Sequence, residues 1–301
     1  MARAKSMTAR ILGLALLAVA TLPAACREPP APEATGAPPV WSIAHGETTV
    51  YLFGSAHMLT ADAAWRSAAF EAALADAERL VFEVTPGPDM IAETQSLFEI
   101  HGRNPPGVTL SALLPPEDAA RLRRVSERLG LPLAAIDAMR PWLAAQQIAL
   151  AHAQSLGASA EWGVETQIMA EAGGREIEAL ETPAAQIATL AAMGPEDERR
   201  MLNAALHDAE VDPESPLRAE AAWSRGDSTA IEALSAAARA AVSPAFHDRV
   251  ITQRNDRFTE RALTYLTLPD DTLIIVGAAH LVGSEGIVAR IRSRGFEVTG
   301  P

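Results

Sequence analysis

The sequence predicts an α/β protein of the mixed α+β kind. A central mixed sheet is built from both chain ends, with a large helical insertion between them. Three observations predict it. "VYLFGSAH", Val50 to His57, reads as an apolar strand that ends on glycine and then reaches a histidine. "TLIIVGAAH", Thr272 to His280, repeats that plan near the other end of the chain. Between them, most segments have the 3.6-residue periodicity and proline-led starts of helices.

The elements follow in order. Trp41 to Ala44 and Thr49 to Phe53 flank His45-Gly46-Glu47 and read as a hairpin. Thr60 or Asp62 caps a helix to about Ala77, with Trp65, Ala69, Phe70 and Leu74 on one face. "RLVFEV", Arg79 to Val84, is a buried strand expected beside the first, joined by a right-handed crossover. Helices follow over Pro116–Leu129, Pro132–Ala138, Pro141–Ser155 and Val164–Glu171. Gly174 to Leu180 is a strand, and Thr182-Pro183 opens another helix. Gly194–His207, Pro216–Gly226 and Ser228–Ala240 are helical, and Phe246–Thr267 reads as one long helix. Thr272–Val276, a helix over Glu285–Arg294 and a returning strand "GFEVTG" close the chain.

The first forty residues read differently. Arg3, Lys5 and Arg10 precede the apolar run Ile11 to Leu22, which is short for a membrane span, so residues 1–25 read as a secretory signal peptide. Cys26 is the single cysteine and follows "LPAA", which is similar to a lipobox, although Pro23 departs from it. The expectation is an exported chain, periplasmic or anchored to the envelope membrane through lipidated Cys26. Ordinary signal cleavage is the alternative. With no second cysteine, no internal disulfide forms. Residues 26–39 are rich in proline and alanine and form a tether, so 40–301 are the folded domain. The net charge of −13, with no basic patch, argues against nucleic acid as a partner.

The chemistry centres on the two G-x-x-H loops. A histidine just past a strand lies where open α/β sheets bind ligands. The glycine allows close backbone approach or a positive φ. Each histidine alone reads more simply as a structural residue; the shared frame points His57 and His280 at one site. Glu83 interrupts an apolar strand, and a buried carboxylate needs a cation, a metal or strong hydrogen bonds, unless it turns to solvent at the strand end. Two imidazoles and a carboxylate would suit a divalent metal ion with an open position. Glu165 in "EWGVETQ", Glu181 in "ALETP" and the adjacent Arg254 and Asn255 are further polar candidates. Each of these four also reads as a solvated or capping residue. His45, His101, His152, His207 and His247 fall in turns or on polar helix faces and carry no claim.

At "VYLFGSAH", "RLVFEV", "MRPWLAA", "EWGVE", "ALET", "QRNDRF" and "VGAAHLVGSEGIVARIRSRGFEV" the sequence resembles the TraB/GumN/PrgY family, which includes the Tiki proteases. The resemblance covers about Val40 to the end. It implies a fold similar to erythromycin esterase and the haem-binding ChaN proteins. For Tiki-like members it implies metal-dependent proteolysis, with His57, Glu83 and His280 at the positions of the essential residues and Arg254 in support. Three functions follow as expectations. The first is a metal-dependent hydrolase of a peptide or amide bond, with a peptide or small-molecule substrate. There Glu165 or Glu181 is the base, and Arg254 binds a carboxylate or stabilises negative charge. The second is a binding module that sequesters a peptide, metal or haem. The third is a scaffold of envelope assembly.

Overall fold

The computed structural model describes residues 36–240 and 242–301. The signal segment, Cys26 and the tether up to residue 35 lie outside the described residues. Five strands form one sheet in the order β1-β2-β5-β3-β4. β1 (Val40–His45) pairs antiparallel with β2 (Thr48–Ser55). The hairpin turn is the two residues Gly46-Glu47, and Gly46 has φ 65°, the left-handed conformation such short turns demand. β2, β5 (Thr272–Gly277), β3 (Arg79–Phe82) and β4 (Glu176–Ala179) run parallel. The last parallel strand of the sequence therefore inserts between the first two. β3 does not neighbour β2, as the order of strands along the chain had suggested.

The central strands are apolar on both faces because helices cover both. Val50, Leu52, Val81, Ile274 and Val276 pack with Phe258, Ala262, Ile287 and Ile291 of α13 (Gln253–Tyr265) and α14 (Ile287–Ser293). The alternate residues Phe53, Leu80, Phe82, Leu273 and Ile275 pack with Phe70, Leu74, Val164 and Ile168 of α1 (Ala68–Asp76) and α7 (Val164–Ala170). This is the two-residue period of the pleat.

The insertion between β3 and β5 brings β4 and most of the helices. α2 (Pro88–His101), α3 (Leu110–Leu113), α4 (Pro116–Arg128), α5 (Leu133–Asp137) and α6 (Pro141–Ser155) precede α7. α8 (Pro183–Ala191), α9 (Pro195–Val211), α10 (Ser215–Ser224), α11 (Ser228–Ala240) and α12 (Pro244–His247) follow β4. Leu110, Leu122, Ile136, Ile148, Leu202 and Leu206 make a core of their own among α3 to α6 and α9.

Four local readings are corrected. α1 begins at Ala68, where the Ser67 hydroxyl accepts the Phe70 N–H as an N-cap, so Trp65 packs from a loop. The segment 246–267 is interrupted: a π-helical turn, Asp248–Thr252, joins α12 to α13. The C-terminal "GFEVTG" makes only an isolated bridge, Thr299 with Ser42, rather than a strand. His152 is buried, and its Nε2–H donates to the Pro213 carbonyl at 2.8 Å.

Candidate active site

The register Gly54↔Val276 and Ser55↔Gly277 sets the two G-x-x-H loops side by side at the carboxyl ends of β2 and β5. Close approach explains both glycines. A Cβ on Gly54 would lie 3.0 Å from the Ala278 Cα, so this glycine lets the loops touch. A Cβ on Gly277 would lie 3.3 Å from Glu83 Oε1, and the Gly277 N–H donates to that oxygen at 2.7 Å. Gly277 has φ −51°, so no left-handed conformation is involved.

Glu83 lies one residue past β3, turned inward with its side chain 11% exposed. The pairing of β3 and β4 continues beyond both strands. Leu180 N–H donates to the Phe82 carbonyl at 2.8 Å and Glu181 N–H to the Glu83 carbonyl at 2.8 Å. Glu83 and Glu181 thereby face one guanidinium. Arg254 donates from Nη2 to Glu83 Oε2 at 2.8 Å and from Nε to both Glu181 oxygens at 3.0 and 3.1 Å. Its Nη1 donates to His280 Nε2 at 3.1 Å. Arg254 and Asn255 lie in the first turn of α13, just after the π-helical turn, a feature that recurs at functional sites. Asn255 Oδ1 takes the Nδ1–H of His280 at 2.6 Å, which fixes the tautomer and leaves the Nε2 lone pair free to accept.

His57 stands at the mouth, with a largely exposed ring. Its Nδ1–H donates to Glu165 Oε1 at 2.7 Å, and the Ser55 hydroxyl donates to the same oxygen at 2.5 Å. The start of α7 reaches His57 because Gly163 has no side chain. A Cβ there would fall 2.1 Å from the His57 carbonyl oxygen. The structure thus brings all seven sequence candidates into one neighbourhood: His57 with Glu165, and Glu83, Glu181 and His280 around the Arg254 guanidinium, with Asn255 behind His280.

The environments push the two histidines apart. The hydrogen bond and charge of Glu165 raise the exposed His57 to about 9. Burial lowers His280 to about 4; the charge of Glu83 opposes that shift and Arg254 adds to it. Burial would raise Glu83, but His280, Arg254, His57 and the Gly277 N–H outweigh it and hold the carboxyl at about 2. Near neutral pH this gives an imidazolium at the mouth, a neutral imidazole within and an ionised carboxylate paired with Arg254. Such a divergence of like groups is the pattern of acid–base sites.

The donor chemistry of His57, Glu83 and His280 suits a divalent cation, but their arrangement does not. The guanidinium of Arg254 stands against both Glu83 Oε2 and His280 Nε2, where a shared cation would sit. Among the described residues no three His, Cys, Asp or Glu side chains form a cluster able to hold a metal ion.

Sequence reasoning missed Ser55, Gln186 and Arg257. Gln186 on α8 donates to Glu83 Oε2 at 3.3 Å and Arg257 on α13 to Glu181 Oε1 at 3.0 Å. Ser55 lies inside the first G-x-x-H loop and could have been noted there. The other two become visible only once β4 is known to pair with β3.

Fold and site define an α/β protein with paired histidine loops at the carboxyl edge of a mixed sheet, closed over by a helical insertion. The TraB/PrgY/gumN family model matches residues 39–300, and the chain belongs to that family. No curated protein and no solved structure matches the chain.

Proposed function

We propose that this family member is a hydrolase of a peptide or amide bond. The observation that carries the reading is that the His57–Glu165 pair and Arg254, itself held by Glu83 and Glu181, gather at the carboxyl ends of β2, β5 and β3, close enough for the charge of Arg254 to act on His57. In this reading Arg254 donates to the oxygen of the scissile carbonyl as negative charge develops there. The bound carbonyl oxygen takes the Nη1–H now on His280 Nε2 and so frees that lone pair before attack. His280, oriented by Asn255, then accepts a proton from the attacking water. His57, already an imidazolium held by Glu165, gives its own proton to the leaving nitrogen, and the proton taken up by His280 returns to His57 through solvent.

A second reading keeps a metal ion. Its support is that both histidines have Nδ1 held by a polar partner, Glu165 or Asn255, as metal-ligating histidines do. His57, Glu83 and His280 would hold it once Arg254 left Glu83 and His280, and it would polarise a carbonyl and lower the pKa of bound water.

The leader and Cys26 support an exported, membrane-anchored placement as part of the same proposal. The test is turnover of a library of peptides and N-acyl amides by wild type and His57→Ala, with and without chelator. The first reading expects turnover that survives chelation and falls at least about a hundredfold in His57→Ala. Loss on chelation selects the metal reading. A lack of turnover with every substrate selects the binding module.

A further inference from the structure

A cavity of about 360 Å³ lies between the carboxyl edge of the sheet and the helical insertion. Its floor includes Asn255 and Ala279, the residue that holds His280 and the residue before it. Leu190 of α8, Val242, Phe246 of α12, and Val250 and Ile251 of the π-helical turn form apolar walls. The volume is at the lower end for small-molecule sites.

Part of the polar lining is engaged within the protein, while Gln146, Glu232, His247 and Ser284 also face the cavity. Arg239 donates to Glu285 Oε2 at 2.8 Å and Thr252 to Glu285 Oε1 at 3.2 Å. Ser235 donates to the Ile231 carbonyl at 3.0 Å. Asn255 spends its amide on the Glu285 carbonyl at 2.8 Å and its oxygen on His280. What remains for a ligand is chiefly aliphatic and aromatic surface.

We infer that this cavity receives an aliphatic acyl or alkyl chain of the substrate, with the bond to be cut held at His280 and Arg254. A peptide segment is the poorer occupant. Apart from Gln146, Glu232, His247 and Ser284, its buried N–H and C=O groups would meet mostly apolar walls, at a cost for each bond left unmade. An alkyl chain has no such groups and gains from every methylene taken out of water. The inference rests on the hydrolase reading where it calls the occupant part of a substrate. The cavity itself does not depend on turnover.

The test is calorimetric binding of acetyl-, hexanoyl- and decanoylglycinamide, with hydrolysis followed in the same samples. Wild type is expected to gain about three- to fourfold in affinity for each added methylene until the cavity is full. Ala204→Phe fills the cavity from α9, and Ala238→Phe does so from an exposed helical position where folding is little disturbed. Both variants should flatten the chain-length dependence and leave acetylglycinamide unchanged. Affinity independent of chain length in wild type, or an unaltered dependence in folded Ala238→Phe, overturns the inference. So does a tetraleucine peptide that displaces the decanoyl probe and binds more tightly than it. Graded binding without hydrolysis leaves the cavity assignment standing and removes the hydrolase reading. Hydrolysis with no chain-length dependence does the reverse.

Discussion

Replacing Glu83 by glutamine keeps the shape of the side chain and removes its charge. In the native site that charge faces Arg254 at 2.8 Å and the Gly277 N–H at 2.7 Å, with the side chain 11% exposed. The neighbours hold its carboxyl at about 2 rather than 4.5. At about 1.4 kcal/mol per tenfold change in the proton equilibrium, this corresponds to roughly 3 kcal/mol of stability at neutral pH. Loss of one partner of a buried ion pair costs about 3–5 kcal/mol. Here the cost is moderated because Arg254 keeps both oxygens of Glu181. The expected loss for Glu83→Gln is therefore about 2–3 kcal/mol. The sign with pH follows from a lowered carboxyl. Its contribution is complete above 4.5 and is lost as pH falls through about 2. Urea unfolding of both proteins at pH 7 and pH 3 reads this directly. The gap between them should shrink to less than half at pH 3. An equal gap at the two pH values, or a variant as stable as wild type at pH 7, would refute the reasoning.

Gly163→Ala should destabilise the protein by about 1–3 kcal/mol, because the new Cβ meets the His57 carbonyl oxygen at 2.1 Å and only backbone movement relieves it. Thermal unfolding and the His57 NMR resonance should shift together. Trp223→Phe removes the buried indole N–H that serves the Gly54 carbonyl at 2.8 Å, with an expected cost of about 1–3 kcal/mol by urea unfolding. Asn255→Leu should leave the fold intact by circular dichroism and cut turnover, because the His280 Nδ1–H loses its acceptor at 2.6 Å.

The strands that carry His57 and His280 were legible because each is an unbroken apolar run ending in the same four-residue frame. Their adjacency was not: nothing local in "RLVFEV" says that β5 separates β3 from β2, since that is decided by pairing across some 190 residues of chain. Helix α2 was missed because none of its residues is fully buried, so it lacks the apolar stripe that betrays a helix. The π-helical turn hides within a helical pattern, as one added residue per turn barely disturbs the periodicity. Arg254 was readable only as a supporting residue. That it meets two carboxylates and a histidine at once depends on β4 bringing Glu181 beside Glu83, which is tertiary information.

The central claim is that one site holds its two histidines in opposite charge states. Nitrogen-15 NMR of the imidazoles across pH 4 to 10 measures it, with His57→Gln and His280→Gln assigning the signals. His57 should stay an imidazolium well above its ordinary 6.5, toward about 9, while His280 stays neutral down toward about 4. Two histidines that both titrate near 6.5 would contradict the account.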